Sequence, residues 1–218
     1  MLSLSITYDS DYWTVVIRNI EAGAGLYEME GYYYTPIWGY ILGLVGAFQN
    51  LLLDMGESAI RVVESIFVEG LGMYVTATIP SILVLFSVKL PLYLSDVILA
   101  FLVMILVKEF TGDQRKASLA FALTFLSPVI LISSGIIAMP DTIAASMTML
   151  TILLLKRNHS FLAGLMFALA VLVKFFPAFL IFVFVAYLVA NNRENRKVAT
   201  LHVVKAIVGA LFAVAIIL

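Results

Sequence analysis

The stretch "FLAGLMFALAVLVKFFP", residues 161–177, decides the fold class. Residues 161–173 carry no charged side chain and are rich in Leu, Val, Phe and Ala, a composition typical of membrane helices. Only a helix or a closed barrel satisfies its own backbone hydrogen bonds in hydrocarbon, and the period-two alternation of barrel strands is absent. The stretch therefore predicts a membrane helix that ends at a lone cation, Lys174.

The rest of the chain has the same character. Of its 218 residues, 63% are hydrophobic and 12% are charged, far from the balance of a soluble domain. Apolar runs occupy residues 37–53, 71–88, 92–107, 117–135, 142–155, 161–173, 177–190 and 203–218. Several runs are too short to span alone, so we interpret them as broken or tilted helices within a bundle. We predict an all-α, polytopic transmembrane helical bundle of about seven or eight helices.

Charge and cysteine content exclude other classes. The net charge of -1 provides no strongly basic surface, so nucleic acid is not an expected partner. The chain has no cysteine, which excludes a disulfide framework and a thiolate metal site.

The basic residues predict an orientation in the membrane. Nine of the thirteen Lys and Arg residues lie in segments 108–116, 156–159 and 191–197 or at Lys205, and such segments stay cytoplasmic. Alternating the helices then predicts an outer side that carries residues 1–36, a turn near Lys89, the turn before Asp141 and the turn at Lys174. The acidic segment 53–70 is predicted to lie inside, against its charge. We expect a multi-pass protein of the plasma membrane, or of the endoplasmic reticulum in a eukaryote.

The N-terminal segment "TYDSDYWTVVIRN", residues 7–19, contains an acid pair, Asp9 and Asp11. Trp13, Val16 and Ile17, followed by Ile20, repeat at helical spacing, which predicts an amphipathic interfacial helix over 11–22 that ends at Gly23 and Gly25. The two carboxylates fit a helix cap. They also fit chemistry: one carboxylate can deprotonate a hydroxyl, or the pair can hold a divalent cation such as Mg²⁺ or Mn²⁺.

Four elements that follow in order make the acid pair more specific. They are Asp9, Asp11 and Tyr12, then the predicted helix, then the turn at residues 23–27, then the entry into the next helix at Tyr32, Tyr34, Thr35 and Pro36. A second group is Asp141, then Lys156 and Arg157, then residues 163–165, then Lys174 and Pro177. Both groups resemble the GT-C superfamily of polyprenyl-phosphate-sugar-dependent glycosyltransferases, and most closely the family of the GPI mannosyltransferase I catalytic subunit.

The resemblance implies an inverting transfer of a hexose, with mannose suggested, from a polyprenyl- or dolichyl-phosphate carrier to a lipid-linked or glycan acceptor at the outer face. Asp9 and Asp11 are then the catalytic candidates and the candidate metal ligands, while Tyr12, Tyr34, Asp141 and Lys174 are candidates for substrate binding. A partner subunit is compatible with this family. Its members usually have a helix before the acidic loop and a longer C-terminal part. We therefore expect an outer acidic loop, 1–36, and a bundle, 37–218, truncated at both ends.

Structural and functional alternatives stand beside this hypothesis. Lys174 fits a side chain that extends to the lipid headgroups, and Asp141 after Pro140 fits a first-turn acid. The aromatic residues near Tyr34 fit an interfacial belt. A transporter or lipid-handling protein would use Asp141 and Lys174 as substrate or proton-coupling groups and needs no acid pair in an outer loop. An inert subunit or inactive fragment is the remaining alternative.

Overall fold

The computed structural model describes the backbone of residues 8–29, 31–54, 60–68, 73–193 and 195–218, and the side chains of residues 12–29, 31–52, 81–193 and 195–218. The helices are α1 (Tyr8–Glu21), α2 (Pro36–Asp54), α3 (Ile82–Thr111), α4 (Gln114–Phe125), α5 (Pro128–Ile132), α6 (Asp141–Lys156), α7 (Ser160–Val173), α8 (Ile181–Asn191) and α9 (Arg196–Ile217). Short 3₁₀ turns lie at Leu26–Glu28 and Phe176–Leu180, and a π-helical turn lies at Ser133–Ile137. The predicted all-α helical membrane bundle is confirmed.

Three helical segments of the described chain are long and apolar enough to cross a membrane: Ile82–Thr111, Gln114–Ile137 and Arg196–Ile217. Shorter apolar helices lie at Pro36–Leu52, Ser160–Val173 and Phe176–Asn191. These are shorter than a full span, as the sequence predicts for helices that are broken or tilted within a bundle. The division of the chain at residue 36 coincides with the start of α2 and stays a prediction.

The predicted amphipathic helix over 11–22 is present as α1, and it ends as expected. Gly23 has φ +83°, its N–H donates to the Ile20 carbonyl, and the Ala24 N–H donates to the Asn19 carbonyl. This pair of bonds is the Schellman motif, which requires a left-handed residue after the helix and so favours glycine. Trp13, Val16 and Ile17 are almost fully buried, so the apolar face of α1 packs on protein.

The partner of that face is α2, and the two helices run parallel. Near their starts, the rings of Trp13 and Trp38 lie 5.5 Å apart. Near their ends, Asn50 Nδ2 donates to Glu21 Oε1 at 2.9 Å. The two tryptophans, both completely buried, form the centre of the main apolar core together with residues of α2, α3, α6 and α7.

The predicted turn near Lys89 is wrong. The runs 71–88 and 92–107 do not form two spans, because α3 is continuous from Ile82 to Thr111 and contains both Lys89 and Pro91. Proline lacks the N–H that would bond the Ser87 carbonyl, which favours a break. The helix nevertheless continues, since Val88 and Leu92 on either side of the proline are both completely buried in the main core.

Residues before α3 form a two-stranded antiparallel hairpin, which the sequence analysis did not predict. Strands β1 (Ile60–Val68) and β2 (Met73–Pro80) pair in the register Val68↔Met73 to Ile60↔Pro80. Residues 73–80, assigned above to a membrane span, are therefore strand. The alternation of apolar residues with Thr and Glu in these segments, together with their β-branched content, is the signal that would have indicated strands.

The end of α2 packs on the beginning of α3. Gln49 Nε2 donates to Ser87 Oγ at 2.8 Å and lies 3.5 Å from the Val84 carbonyl oxygen. Leu42 and Val45, earlier in α2, share the core with Val88 and Leu92, later in α3. The two helices are therefore antiparallel, and α2 accompanies the first half of α3.

The three basic segments gather at one end of the bundle. Arg157, after α6, donates from Nε to Glu109 Oε1 at 2.9 Å near the end of α3. Ser160 Oγ, at the start of α7, lies 2.6 Å from His202 Nδ1 in α9. The first contact joins segments 108–116 and 156–159, and the second brings α7, which follows segment 156–159, to α9, which follows segment 191–197. We call this the basic end of the bundle.

Candidate functional site at the end opposite the basic segments

The candidate site forms where α6 begins and α7 ends, 33 residues apart in sequence. Asp141 is the first residue of α6, after Pro140, and Lys174 follows the last residue of α7 in extended backbone. The Lys174 ammonium donates to the Asp141 carboxylate, and the two groups form an ion pair. The sequence indicated both residues separately but did not predict that they pair.

The pair remains accessible. The Lys174 side chain is 33% exposed and that of Asp141 is 42% exposed. An ion pair of this exposure contributes only about 0–1 kcal/mol, because water competes for both groups. An incoming anion can therefore compete with Asp141 for the Lys174 ammonium.

Two clefts meet at Lys174. One, of about 500 Å³, lies between α6 and the 3₁₀ turn, and Ala144, Met149, Pro177 and Leu180 contribute to its apolar wall. The other, of about 350 Å³, lies between Tyr33 and Tyr34, which belong to residues 32–34, here called the tyrosine segment, and the phenylalanines after Lys174. Lys174 lines both clefts, so a single cation separates an apolar groove from an aromatic one.

The tyrosine segment reaches this site. The Lys174 Nζ lies 5.9 Å from the centroid of the Tyr34 ring, within the range of a cation–π contact. The Tyr34 ring meets the Trp13 ring edge-on at 5.0 Å. The Tyr12 ring lies 5.3 Å from the Trp13 ring, tilted by 59°, and Tyr12 lines neither of these two clefts.

Burial raises the pKa of the nearby phenols further above neutral pH. Desolvation, and to a smaller extent the neighbouring Tyr27, raises the pKa of Tyr32. Its hydroxyl lies 3.4 Å from the Thr35 carbonyl oxygen and donates to it. Burial likewise raises the pKa of Tyr12, with a smaller contribution from Tyr33. These phenols act here as neutral hydrogen-bonding groups and not as anions.

Asp9 and Asp11 lie in the first half of α1, but their side chains are outside the described residues. Their backbone is close to Trp13: at about 1.5 Å per residue, Asp11 is about 3 Å and Asp9 about 6 Å before it along the helix. Trp13 Nε1 donates to the Ala138 carbonyl at 2.8 Å, three residues before Asp141. The acid pair and Lys174 therefore lie at the same end of the bundle.

No group of three or more His, Asp or Glu side chains that could hold a metal ion occurs among the described residues. The predicted metal ligands, Asp9 and Asp11, fall outside that set of side chains, so a divalent cation stays a prediction.

A buried polar layer, absent from the sequence predictions, lies beneath the site. Asp96 in α3 accepts a hydrogen bond from Ser134 Oγ at 2.8 Å, and the Lys89 ammonium, completely buried, donates to the Gly135 carbonyl at 2.8 Å. An ionisable residue within an apolar run is a site hypothesis by default, and that rule would have selected both residues. Lys89 was instead assigned to a turn, and Asp96 within "LYLSDVILA" was not considered.

These features define a membrane-embedded helical protein with a paired cation and carboxylate at one end and buried polar groups below them. The sequence model of glycosyltransferase family 87 matches residues 67–218, more than half of the chain. The chain therefore belongs to glycosyltransferase family 87, a family of GT-C-like membrane glycosyltransferases. No curated protein and no solved structure matches it.

Family membership confirms the predicted superfamily and the class of enzyme, and it favours a transferase over a transporter. Asp141 and Lys174 lie within the matched residues, whereas Asp9, Asp11 and Tyr34 precede them. The narrower resemblance to GPI mannosyltransferase I, which rests on both groups of motifs, stays a prediction.

Proposed function

We propose that this chain transfers a hexose, with mannose as the first candidate, from a polyprenyl- or dolichyl-phosphate donor to a lipid-linked or glycan acceptor. The observation that carries the proposal is the position of Lys174 at the junction of two clefts, one of them an apolar groove along α6. A polyprenyl phosphate is a long apolar chain that ends in an anion. A groove of this kind with one cation at its mouth is complementary to both parts of such a donor.

The donor phosphate would take the place of Asp141 on the Lys174 ammonium. The donor is a phosphodiester monoanion, and the departing polyprenyl phosphate becomes a more highly charged monoester as the glycosidic bond breaks. Lys174 therefore interacts more strongly with the transition state than with the bound donor, which is the condition for catalysis. Asp141, released from the ion pair, would accept a hydrogen bond from a sugar hydroxyl.

The reaction we propose is a single displacement. Asp9 or Asp11 accepts the proton of the acceptor hydroxyl, and the acceptor oxygen forms a bond to the anomeric carbon. The bond from the anomeric carbon to the phosphate oxygen breaks, and its electron pair leaves with the phosphate. The configuration at the anomeric carbon is inverted. A covalent enzyme intermediate is unnecessary because the donor is already activated.

We further propose that the site faces the extracytoplasmic side. The basic end of the bundle would then face the cytoplasm, in agreement with the positive-inside rule. Tyr34, beside Lys174, would stack on the sugar face.

The test is incorporation of labelled sugar from a polyprenyl-phosphate donor by the full-length protein in proteoliposomes. Asp9→Asn and Asp11→Asn are made separately, and we expect one of them to lower the transfer rate by at least about a hundredfold, the scale of general-base catalysis. The matched control is Asp113→Asn. Asp113 caps α4, between α3 and α4 at the basic end, and Asn is an equally good cap, so transfer should not change.

If both variants keep their transfer activity at equal expression, the assignment of Asp9 or Asp11 as the base is refuted. Wild-type protein that moves the labelled lipid or sugar across the bilayer without forming a new glycosidic bond would instead be a transporter. A product that retains the donor configuration would rule out the single displacement.

A further inference from the structure

The turn that leads into Asp141 has an unusual backbone. After α5, residues Ser133–Ile137 form a π-helical turn, and Ala138 follows in the left-handed region with φ 65°. The Met139 N–H closes the turn by donating to the Ser133 carbonyl at 3.0 Å. Both features are uncommon, and a left-handed alanine is strained because its Cβ crowds the backbone. Contacts from outside the turn are needed to hold it.

Three hydrogen bonds from other helices supply those contacts. The Trp13 indole N–H in α1 donates to the Ala138 carbonyl at 2.8 Å. In α3, the Lys89 ammonium donates to the Gly135 carbonyl, and Asp96 accepts from Ser134 Oγ, both at 2.8 Å. Ser134, Ala138 and Lys89 are completely buried, so water cannot replace any of these bonds.

Trp13 is the one of these contacts that reaches both halves of the ion pair. Its N–H holds Ala138, three residues before Asp141. Its ring meets Tyr34 edge-on at 5.0 Å, and Tyr34 in turn faces the Lys174 ammonium at 5.9 Å. The Trp13 side chain therefore fixes the position of the turn that precedes Asp141. It also fixes the position of the Tyr34 ring beside Lys174.

We propose that Trp13 is a positioning residue: its indole N–H sets the turn at Ala138 so that Asp141 meets Lys174, and it couples α1 to that pair. The proposal rests on the function proposed above, in which Asp141 and Lys174 contact the donor. Because α1 also carries Asp9 and Asp11, the Trp13 bond would keep the proposed base at a fixed position relative to the donor site.

Trp38 provides a matched control. It is completely buried like Trp13, and the two rings lie 5.5 Å apart in the same core. Its indole N–H has no hydrogen-bond partner among the residues that the structure describes. Replacing either tryptophan by phenylalanine removes the same volume from the core, but only Trp13→Phe removes a bond to Ala138.

The first test compares Trp13→Phe and Trp38→Phe by transfer kinetics and by thermal unfolding. Both should lower Tm, since both leave a comparable cavity, and Trp13→Phe should lower it more, because only this variant leaves the Ala138 carbonyl without its donor. Trp13→Phe should lower kcat/KM for the donor by about tenfold, the effect of losing one buried hydrogen bond, while Trp38→Phe should lower it by less than about twofold.

A double-mutant cycle with Asp141→Asn separates positioning from general destabilisation. If Trp13 acts through Asp141, the effect of Trp13→Phe becomes clearly smaller in the Asp141→Asn background. The effect of Trp38→Phe should be the same in both backgrounds. Equal kinetic effects of the two tryptophan variants, or full additivity of Trp13→Phe with Asp141→Asn, would overturn the proposal.

A second readout does not depend on activity. The chain has no cysteine, so Met139→Cys places a single thiol in the turn, where residue 139 is partly buried. Trp13→Phe should increase the labelling rate of this thiol several-fold, and Trp38→Phe should leave it unchanged. Unchanged labelling in both variants overturns the inference even if the transferase assay succeeds. A wild-type protein without transferase activity but with the expected labelling would instead refute the proposed function and leave the Trp13 turn contact supported.

Discussion

At the scale of single residues, the proposed donor site depends on Lys174, a cation with a carboxylate on one side and an aromatic ring on the other. Lys174 pairs with Asp141 on one side and lies over the Tyr34 ring on the other. The carboxylate balances its charge when no anion is bound, and the aromatic face favours a cation without forming a bond that must be broken. The Lys174 ammonium is therefore held in place and still able to exchange partners.

This arrangement makes a prediction about donor binding. Lys174→Met should raise KM for a polyprenyl-phosphate sugar by about tenfold or more, because it removes a charge-assisted hydrogen bond to phosphate. Lys174→Arg should recover part of the loss, since the charge is kept but the geometry is not. The measurement is steady-state kinetics over a range of donor concentration.

Lys116→Met serves as the control, because Lys116 lies near the start of α4 and is exposed in the basic segment 108–116. An equal rise in KM in the Lys116 and Lys174 variants would show that general surface charge, and not the Lys174 site, attracts the donor.

At the scale of helices, α7 and α9 approach each other closely at two glycines. A Cβ atom on Gly164 would overlap the Ala206 carbonyl group, and one on Gly209 would overlap the Phe161 carbonyl group. Small residues of this kind let membrane helices approach closely, so that dispersion contacts replace the absent hydrophobic driving force. Lys174 follows directly on α7, and the α7–α9 contact therefore supports the site.

Gly164→Ala should destabilise the protein by about 1–3 kcal/mol, the usual cost of overpacking. The matched control is Gly43→Ala in α2, where the added Cβ would meet only Ile20 Cγ2 at 3.7 Å, an ordinary contact. Gly43→Ala should be neutral or slightly stabilising, because alanine favours helix over glycine. The stability of both variants is measured by unfolding the purified proteins in detergent with heat or denaturant. A stable Gly164→Ala variant would show that α7 and α9 are less closely packed than described.

At the scale of the whole molecule, the continuous α3 changes the predicted path through the membrane. The original topology used three crossings between residue 36 and the basic segment 108–116. With α2 lying antiparallel to the first half of α3, a single crossing by α3 is sufficient. We propose that the number of crossings stays odd, so that residues 1–36 and the basic end would keep their predicted sides. Strand β1, within the acidic segment 53–70, would then lie on the outer side, where the charge of that segment does not conflict with the positive-inside rule.

Single cysteines in this cysteine-free chain test that topology. Arg18→Cys and Ser65→Cys should react with an impermeant thiol reagent added outside the cell, while Arg157→Cys should react only after permeabilisation. Ser65 discriminates between the two topologies, because three crossings place it inside and one crossing places it outside. Protection of Ser65→Cys in intact cells, with Arg18→Cys labelled, would restore the three-crossing path.

Local sequence was sufficient for features that depend on a few consecutive residues. The apolar runs predicted a helical membrane protein because burial in hydrocarbon requires internal backbone bonding. The period of Trp13, Val16 and Ile17 and the glycine that follows predicted α1 and its end. The distribution of Lys and Arg along the chain predicted that the three basic segments lie at the same end of the bundle.

Only the tertiary structure decided which distant groups meet. Nothing local to Pro91 shows whether α3 breaks there, since the answer depends on the core that buries Val88 and Leu92 on both sides. The Asp141–Lys174 pair and the Trp13–Ala138 bond join residues 33 and 125 positions apart, and each depends on how whole helices pack. Sequence periodicity carries information about one helix and its faces, whereas the geometry of a site at the end of a bundle is set by the contacts between helices.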